Sequence, residues 1–158
     1  MNKIAYLTPN VAVTGALRPQ DVSQAAAMGF KSIVSNLPDG ESRAHPTSRE
    51  EADLAARAGL GFRHVPTTKA DVFSDRVVDG MVEALGTLEA PVLVHCASGG
   101  RSAIAWAAAA SRFQPVEKVL GALRSAGFNL DAIRDDLIGQ GAPGHAGPIP
   151  PALEATGT

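Results

Sequence analysis

Eight consecutive residues, His95-Cys96-Ala97-Ser98-Gly99-Gly100-Arg101-Ser102, bring a thiol, paired glycines, a guanidinium and a hydroxyl into one short segment. Cys96 is the only cysteine in the chain. It follows the apolar run Val92-Leu93-Val94, which reads as a strand, and precedes a segment that reads as a helix from about Arg101. A thiol at a strand tip and before a helix N-terminus meets the positive end of the helix dipole and unpaired backbone N–H groups. Both favour the thiolate, the nucleophilic form of the side chain. The same N–H groups, from Ala97, Ser98, Gly99 and Gly100, would cradle an anion. Gly99 and Gly100 permit positive φ and close approach of backbone to a bound group. Arg101 offers a planar fork matched to a tetrahedral oxyanion. A lone cysteine is most often a small buried hydrophobe, and Gly-Gly before a helix is ordinary turn punctuation. The complete octet in this order is what points to catalysis.

Such a loop needs a rigid frame, and the rest of the chain supplies one. Residues 4–7 and 11–13 read as short strands around the Thr8-Pro9-Asn10 turn. Residues 19–28 read as a helix with Pro19 in its first turn and Gly29 as its stop. Ser32–Ser35 reads as a strand, ended by Asn36-Leu37-Pro38-Asp39-Gly40. A second helix begins near Thr47 or Ser48, with Ser48 and Glu51 fitting a capping box and Gly59 following its end. Residues 62–65 form the next strand. Ser74 caps a third helix with the apolar stripe Val77, Val78, Met81, Leu85 and Leu88. Residues 91–95 are almost wholly apolar and read as a central strand. Residues 102–113, 115–125 and 131–138 read as further helices. This alternation predicts an α/β fold, a mostly parallel central sheet flanked by helices on both faces. In such sheets ligands bind beyond the carboxyl ends of the strands, where Cys96 would lie.

Composition narrows the classes. A chain of 158 residues suits one domain. With 14 Lys+Arg against 16 Asp+Glu, the net charge of −2 argues against nucleic-acid or anionic-membrane binding, which would need a basic face. One cysteine excludes an internal disulfide, and the four histidines lack zinc-like spacing, so neither metal nor cofactor is expected. Aromatic residues are only 4% of the chain, which predicts a core rich in alanine. Lys3 is followed by too short an apolar run for an export signal, and the run 103–110 is far short of a membrane span. A cytoplasmic, reducing location is expected. Residues 139–158 hold five Gly and four Pro without periodicity, which predicts a flexible tail after a catalytic domain at 1–138.

The octet resembles the signature loop of the cysteine-dependent phosphatases of the tyrosine and dual-specificity superfamily: His-Cys, five residues, Arg, then Ser or Thr. The wider chain, over roughly residues 4–125, is similar to a bacterial phosphatase-like family found alone or fused to β-lactamase-like hydrolases. Asn36-Leu37-Pro38-Asp39-Gly40-Glu41 and Gly61-Phe62-Arg63-His64-Val65-Pro66 carry that likeness beside the loop. One feature departs from the signature. Four residues, not five, separate Cys96 from Arg101. That spacing resembles rhodanese-type sulfurtransferases, whose Cys-x-x-Gly-x-Arg pattern matches Cys96, Gly99 and Arg101. A shorter loop presents fewer inward N–H groups, which suits a persulfide better than three phosphoryl oxygens.

The resemblance implies roles. Cys96 would attack phosphorus, and Arg101 with the loop amides would hold the equatorial oxygens. Ser102 would assist the departing thiolate, and His95 would orient the loop as a core histidine bonded to backbone. The family's general acid is an Asp upstream of the cysteine, for which Asp71 is the first candidate and Asp75, beside the Ser74 cap, the second. Asp39 and Glu41 would either line the pocket mouth or form a polar turn. Arg43, His45 and Arg49 read as solvated surface, His64 as packed, and Trp106 as core. The implied activity is hydrolysis of a phosphorylated protein or a small phosphate ester. The rivals are sulfur transfer from a sulfur donor through a Cys96 persulfide, and a binding module that captures a phosphorylated partner without turnover.

Overall fold

The computed structural model describes residues 1–141 and 148–155. Strands β1 (Ala5–Thr8), β2 (Val11–Thr14), β3 (Ser32–Ser35), β4 (Gly61–His64) and β5 (Val92–His95) form one sheet in the order β1-β2-β5-β3-β4. The β1–β2 ladder is antiparallel and the other three are parallel. β5 is therefore the middle strand. Its residues alternate between two cores. Val92 and Val94 join a cluster on one face, and Leu93 joins the cluster on the other. Burial on both sides is why this strand carries no polar alternation.

Helices α1 (Pro19–Ala27) and α2 (Ser48–Arg57) cover the face around Leu93, through Val22, Ala25 and Ala55. Helices α3 (Asp75–Thr87), α4 (Gly100–Ala110) and α5 (Val116–Ser125) cover the opposite face. The α3 stripe Val77, Val78, Met81 and Leu85 is buried as its period requires. Along α4, Ala103, Ala105 and the residues from Trp106 to Ala110 have no exposed surface. These small side chains let α4 sit close against α3 and the sheet, so alanine fills the core that few aromatics could. Residues 131–138 split into a 3-10 turn (Asp131–Ile133) and a short helix α6 (Arg134–Ile138).

Register fixes where the site must be. Thr14 and Ser35 both pair with His95, and Ser35 also pairs with His64. The carboxyl ends of four strands are thus level, and the loops after them open on one edge.

Two local features differ from what the sequence predicts. The α2 capping box is formed by Thr47 and Glu50, not Ser48 and Glu51. Thr47 Oγ1 accepts from Glu50 N, and Glu50 Oε1 accepts from Thr47 N. The second concerns residues 148–155 of the expected tail. A 3-10 turn at Pro151–Leu153 packs on the α3–α4 face, with Ala152, Leu153 and Ala155 buried. Trp106 Nε1 donates to Ala152 O at 2.8 Å, Gln114 Nε2 donates to Leu153 O at 2.6 Å, and Ala155 N donates to Gln114 Oε1 at 2.8 Å. The backbone of an apparently structureless segment is satisfied by side chains of the core. Residues 142–147 and 156–158, also assigned to that tail, lie outside the described residues. Among the described residues no helix is long and apolar enough to cross a membrane.

Candidate active site

Cys96 immediately follows β5 and begins a loop braced by the end of β2. Cys96 N donates to Thr14 O at 3.4 Å, and Ala16 N donates to Ala97 O at 3.3 Å. Gly15 makes this approach possible. A Cβ there would lie 2.8 Å from Asn2 Nδ2 and 3.1 Å from Ala97 O. At the loop's far end Gly99 caps α4 with φ +95°, a left-handed conformation that favours glycine. This bend turns the Gly99 N–H back onto Cys96 Sγ at 3.1 Å. Gly100, Arg101 and Ser102 form the first turn of α4, so their N–H groups have no acceptor within the helix. Cys96 has no exposed surface, whereas Ala97 and Ser98 are exposed. The sulfur therefore sits at the bottom of the loop.

Arg101 is held in one orientation by two other loops. Its Nη1 and Nη2 donate to Glu41 Oε1 and Oε2 at 2.9 and 2.6 Å, a bidentate pair, and Nη1 also donates to Thr67 O at 2.8 Å. These contacts use three of the five guanidinium N–H groups and leave the side-on edge of Nε and Nη2 for an anion. The hydrogen bond from Arg101 holds the Glu41 carboxyl below its ordinary range, against the upward push of burial. Glu41, in turn, raises the Arg101 guanidinium, and Cys96 contributes in the same direction. Of the two environments considered for Glu41, mouth or polar turn, the structure places its carboxylate on the loop arginine.

Beneath the loop runs a buried polar chain. Ser102 Oγ donates to Asn36 Oδ1 at 2.8 Å, and Asn36 Nδ2 donates to Val65 O at 2.9 Å and Thr67 Oγ1 at 3.3 Å. Ser102, Asn36 and Thr67 are fully buried. They tie α4 to the loops after β3 and β4, which are the loops that supply Glu41 and Thr67 O to Arg101. His95 Nε2 lies 2.6 Å from Glu51 Oε2, with both side chains buried. His95 is thus a core histidine as expected, but its partner is a carboxylate on α2, not backbone. Sequence reasoning missed Glu51 because it assigned that residue to the helix cap. It missed Gly15 and Thr67, which carry no local signal. Asn36 was visible only as the first residue of the segment that carried the family likeness.

The remaining candidates lie apart from the sulfur or are committed to neighbours. Asp71 Oδ1 accepts from Thr68 N and Oγ1 at 2.7 and 3.0 Å, and Oδ2 accepts from Arg76 Nη2 at 2.6 Å. The Thr68 backbone bond chiefly holds the Asp71 carboxyl below its usual range, with Arg76 adding to it. Asp75 is almost fully exposed and faces Arg112 at 3.7 Å. Asp39 accepts from Ser48 N and Oγ, both at 2.7 Å, which lowers its carboxyl. Arg43 and Arg49 are exposed, and Arg43 lines a cavity of about 260 Å³ with His45 and Asp39. His64 is half-buried, with Nε2 2.8 Å from Leu37 O.

Comparison with known proteins gives this arrangement a context. Residues 3–112 match the family described as beta-lactamase hydrolase-like protein, phosphatase-like domain. A beta-lactamase hydrolase-like protein of Xylella fastidiosa (strain Temecula1) is 31% identical over 105 residues, which are 66% of this chain and 24% of that protein. One from Agrobacterium fabrum is 26% identical over 100 residues, 63% of this chain and 23% of that protein. The match thus spans about a quarter of the length of these relatives. Among solved structures, a protein from Neisseria meningitidis Z2491 described as a candidate phosphatase is 29% identical. It superposes with a TM-score of 0.72 over 87% of this chain and 97% of its own. Tk-PTP in its active form shares the fold at 19% identity and a TM-score of 0.61, over 87% and 94% of the two chains. The match covers the whole sheet and the loop that holds Cys96 and Arg101, and on that ground the chain belongs to the phosphatase-like domain family of the beta-lactamase hydrolase-like proteins.

Proposed function

We propose that the chain is a cysteine-dependent phosphatase that hydrolyses phosphate monoesters through a phosphocysteine at Cys96. The observation that carries this reading is the Gly99 N–H donated to Cys96 Sγ beneath an arginine held by Glu41 and Thr67 O. The Gly99 N–H aims a backbone donor at the sulfur, and the free edge of Arg101 matches two phosphoryl oxygens. The Cys96 sulfur attacks phosphorus as the bond to the leaving oxygen breaks, while Arg101 and the amides of the 97–100 loop hold the equatorial oxygens. Water then attacks phosphorus, releasing inorganic phosphate and regenerating the thiolate, whose departure the Gly99 N–H assists. The Ser102 hydroxyl, which donates to Asn36 Oδ1, positions the first turn of α4. The substrate is a phosphorylated protein or a small phosphate ester. A reducing cytoplasm, which keeps a lone thiol free, suits this chemistry.

Two observations support a second reading, sulfur transfer. Cys96 and Arg101 are separated by four residues, and the Asp71 carboxylate is engaged by Thr68 and Arg76. In that reaction the Cys96 thiolate takes the outer sulfur of thiosulfate, releases sulfite, and passes the sulfur to a nucleophile such as cyanide. No strong acid is needed.

An aryl phosphate and, separately, thiosulfate with cyanide are offered to the protein and to Cys96→Ser. Phosphatase action is expected to release phosphate at a rate that falls by about 10³-fold or more in the variant. Thiocyanate formation alone would replace the first reading with the second. Oxyanion binding without either turnover would leave a phospho-ligand binding module.

A further inference from the structure

We infer that the site works without a side-chain general acid and acts on phosphoryl groups whose leaving group departs as a stable anion, the phosphoric and carboxylic anhydrides, in preference to alkyl esters. The inference rests on the Cys96 phosphatase reading and extends its substrates from esters to anhydrides, which it makes the preferred class.

Three carboxylates stand on the loops that open beside Cys96, and each is spoken for; Asp75, at the start of α3, is almost fully exposed and faces Arg112 at 3.7 Å. Asp39 accepts two hydrogen bonds from Ser48. Glu41 is the bidentate partner of Arg101. Asp71 has one oxygen on Thr68 and the other on Arg76. All three are held below the ordinary carboxylate range by these partners and are ionised at neutral pH. An ionised carboxylate has no proton to give to a leaving oxygen.

Loop movement would not readily free Asp71. Its neighbours on both sides are anchored: Thr67 is fully buried and its carbonyl holds Arg101, while Val72 packs into the core. Ser74 N also donates to Asp71 O at 2.8 Å. A swing toward the sulfur would break the Arg76 pair and disturb the carbonyl that orients the loop arginine. Two histidines of this edge are occupied: His64 Nε2 faces the Leu37 carbonyl, and His95 Nε2 faces the Glu51 carboxylate beneath the loop. The buried Nδ1 of His45 has no hydrogen-bond partner among the described residues, but His45 lines cavities that no residue of the 96–101 loop borders. Asp71 therefore acts as a brace that shapes the turn carrying Thr67.

The chemistry then selects the substrate. An alkoxide leaves phosphorus only with a proton, whereas a phosphate or carboxylate anion leaves without one. The Cys96 sulfur forms its bond to phosphorus as the bridging P–O bond breaks, and the bonding pair stays on the departing anion. Water next attacks the phosphocysteine. One of its protons passes to a phosphoryl oxygen, and the products are dihydrogen phosphate and the thiolate.

The test measures phosphate release by the full chain from aryl phosphates spanning a range of phenol acidity, from acetyl phosphate, from inorganic pyrophosphate and from an alkyl phosphate. The expected result is a steep rise in kcat/KM with leaving-group acidity. One or both anhydrides should exceed the alkyl ester by about 10²-fold or more, the factor a general acid would otherwise supply. Pyrophosphate and acetyl phosphate separate the phosphoric from the carboxylic anhydride. Asp71→Asn should leave the slope of the aryl series unchanged. If that variant does not fold, Arg76→Gln, which releases one carboxylate oxygen, should likewise leave the slope unchanged. A flat series that steepens in Asp71→Asn, or an alkyl ester hydrolysed as fast as the anhydrides, would overturn the inference and leave the phosphatase reading intact. Absence of Cys96-dependent phosphate release from every substrate would overturn both.

Discussion

A carboxylate and an imidazole packed together away from water are tolerated only as a pair. Glu51 and His95 make such a pair at 2.6 Å, one residue from the nucleophile. Removing one partner strands the other in a medium that does not solvate it. Glu51→Ala is therefore expected to lower stability by about 3–5 kcal/mol, read from urea unfolding. Glu51→Gln, which keeps an acceptor of similar shape, should cost less, and equal losses would show that the carboxylate charge, not the hydrogen bond, supplies the stability. The misassignment of Glu51 has a simple geometry. A cap at Ser48 would spend the Glu51 carboxylate on the Ser48 N–H; with the cap at Thr47, Glu50 takes that role and Glu51 is left to face His95. Gly99 was legible in the sequence, because a glycine between strand and helix implies a left-handed turn. At φ +95° the Gly99→Ala change should cost about 1–2 kcal/mol from backbone strain. The added Cβ itself would meet the Thr14 backbone at an ordinary 3.5 Å. The same change should depress turnover more than stability, because it moves the N–H that faces Cys96 Sγ. Urea midpoints and kcat measured side by side decide this.

At the scale of elements, the parts legible in the sequence are those whose signal is local. Ser32–Ser35 is bounded by glycine and proline turns, and the α3 stripe repeats at the helical period, so both match the structure closely. The chain linking Ser102, Asn36 and Val65 was not legible. Its hydrogen bonds join residues 66 and 29 positions apart, and no local pattern encodes such pairs. The segment 148–155 differs from the expected flexible tail for the same reason. Pro and Gly content describes its own preferences, but its order comes from Trp106 and Gln114 on the core. Gln114 reads two backbone groups at once, accepting from Ala155 N and donating to Leu153 O. Gln114→Ala is expected to cost about 1–3 kcal/mol by leaving these buried groups unpaired. Hydrogen exchange gives the sharper measurement. The Ala155 amide should lose its protection in the variant while amides of β5 keep theirs, as expected when a peripheral segment opens by itself. Simultaneous loss at both places would mean that the segment unfolds only with the whole molecule.

For the molecule as a whole, a net charge of −2 conceals a directed arrangement in which several acids are fixed by specific donors. Asp21 is the most buried of them. Burial alone would raise its carboxyl, but the Arg18 side chain and the Arg18 N–H outweigh it, and the group sits below its ordinary value. Glu41 and Asp71 are lowered as well, by Arg101 and by Thr68 with Arg76 respectively. A carboxylate depressed in the folded state binds its proton more readily when the chain unfolds. Its contribution is fully present above the unfolded value, near pH 4, and is lost as pH falls through the depressed folded value. Urea midpoints should therefore be nearly level from neutrality down to about pH 5 and decline below about pH 4. Most of the decline should belong to Asp21, because the half-exposed pairs at Glu41 and Asp71 are screened by solvent. Asp21→Asn is accordingly expected to lower the midpoint at neutral pH and to flatten the acid limb, so that the two proteins converge as pH falls. A constant gap between them at every pH would assign the loss to packing and not to charge. The Arg101 clamp responds in the same direction. Protonating Glu41 frees the guanidinium fork from its carboxylate, so the KM for phosphate substrates should rise as pH falls through the depressed Glu41 value, and Glu41→Gln should show the raised KM already at neutral pH.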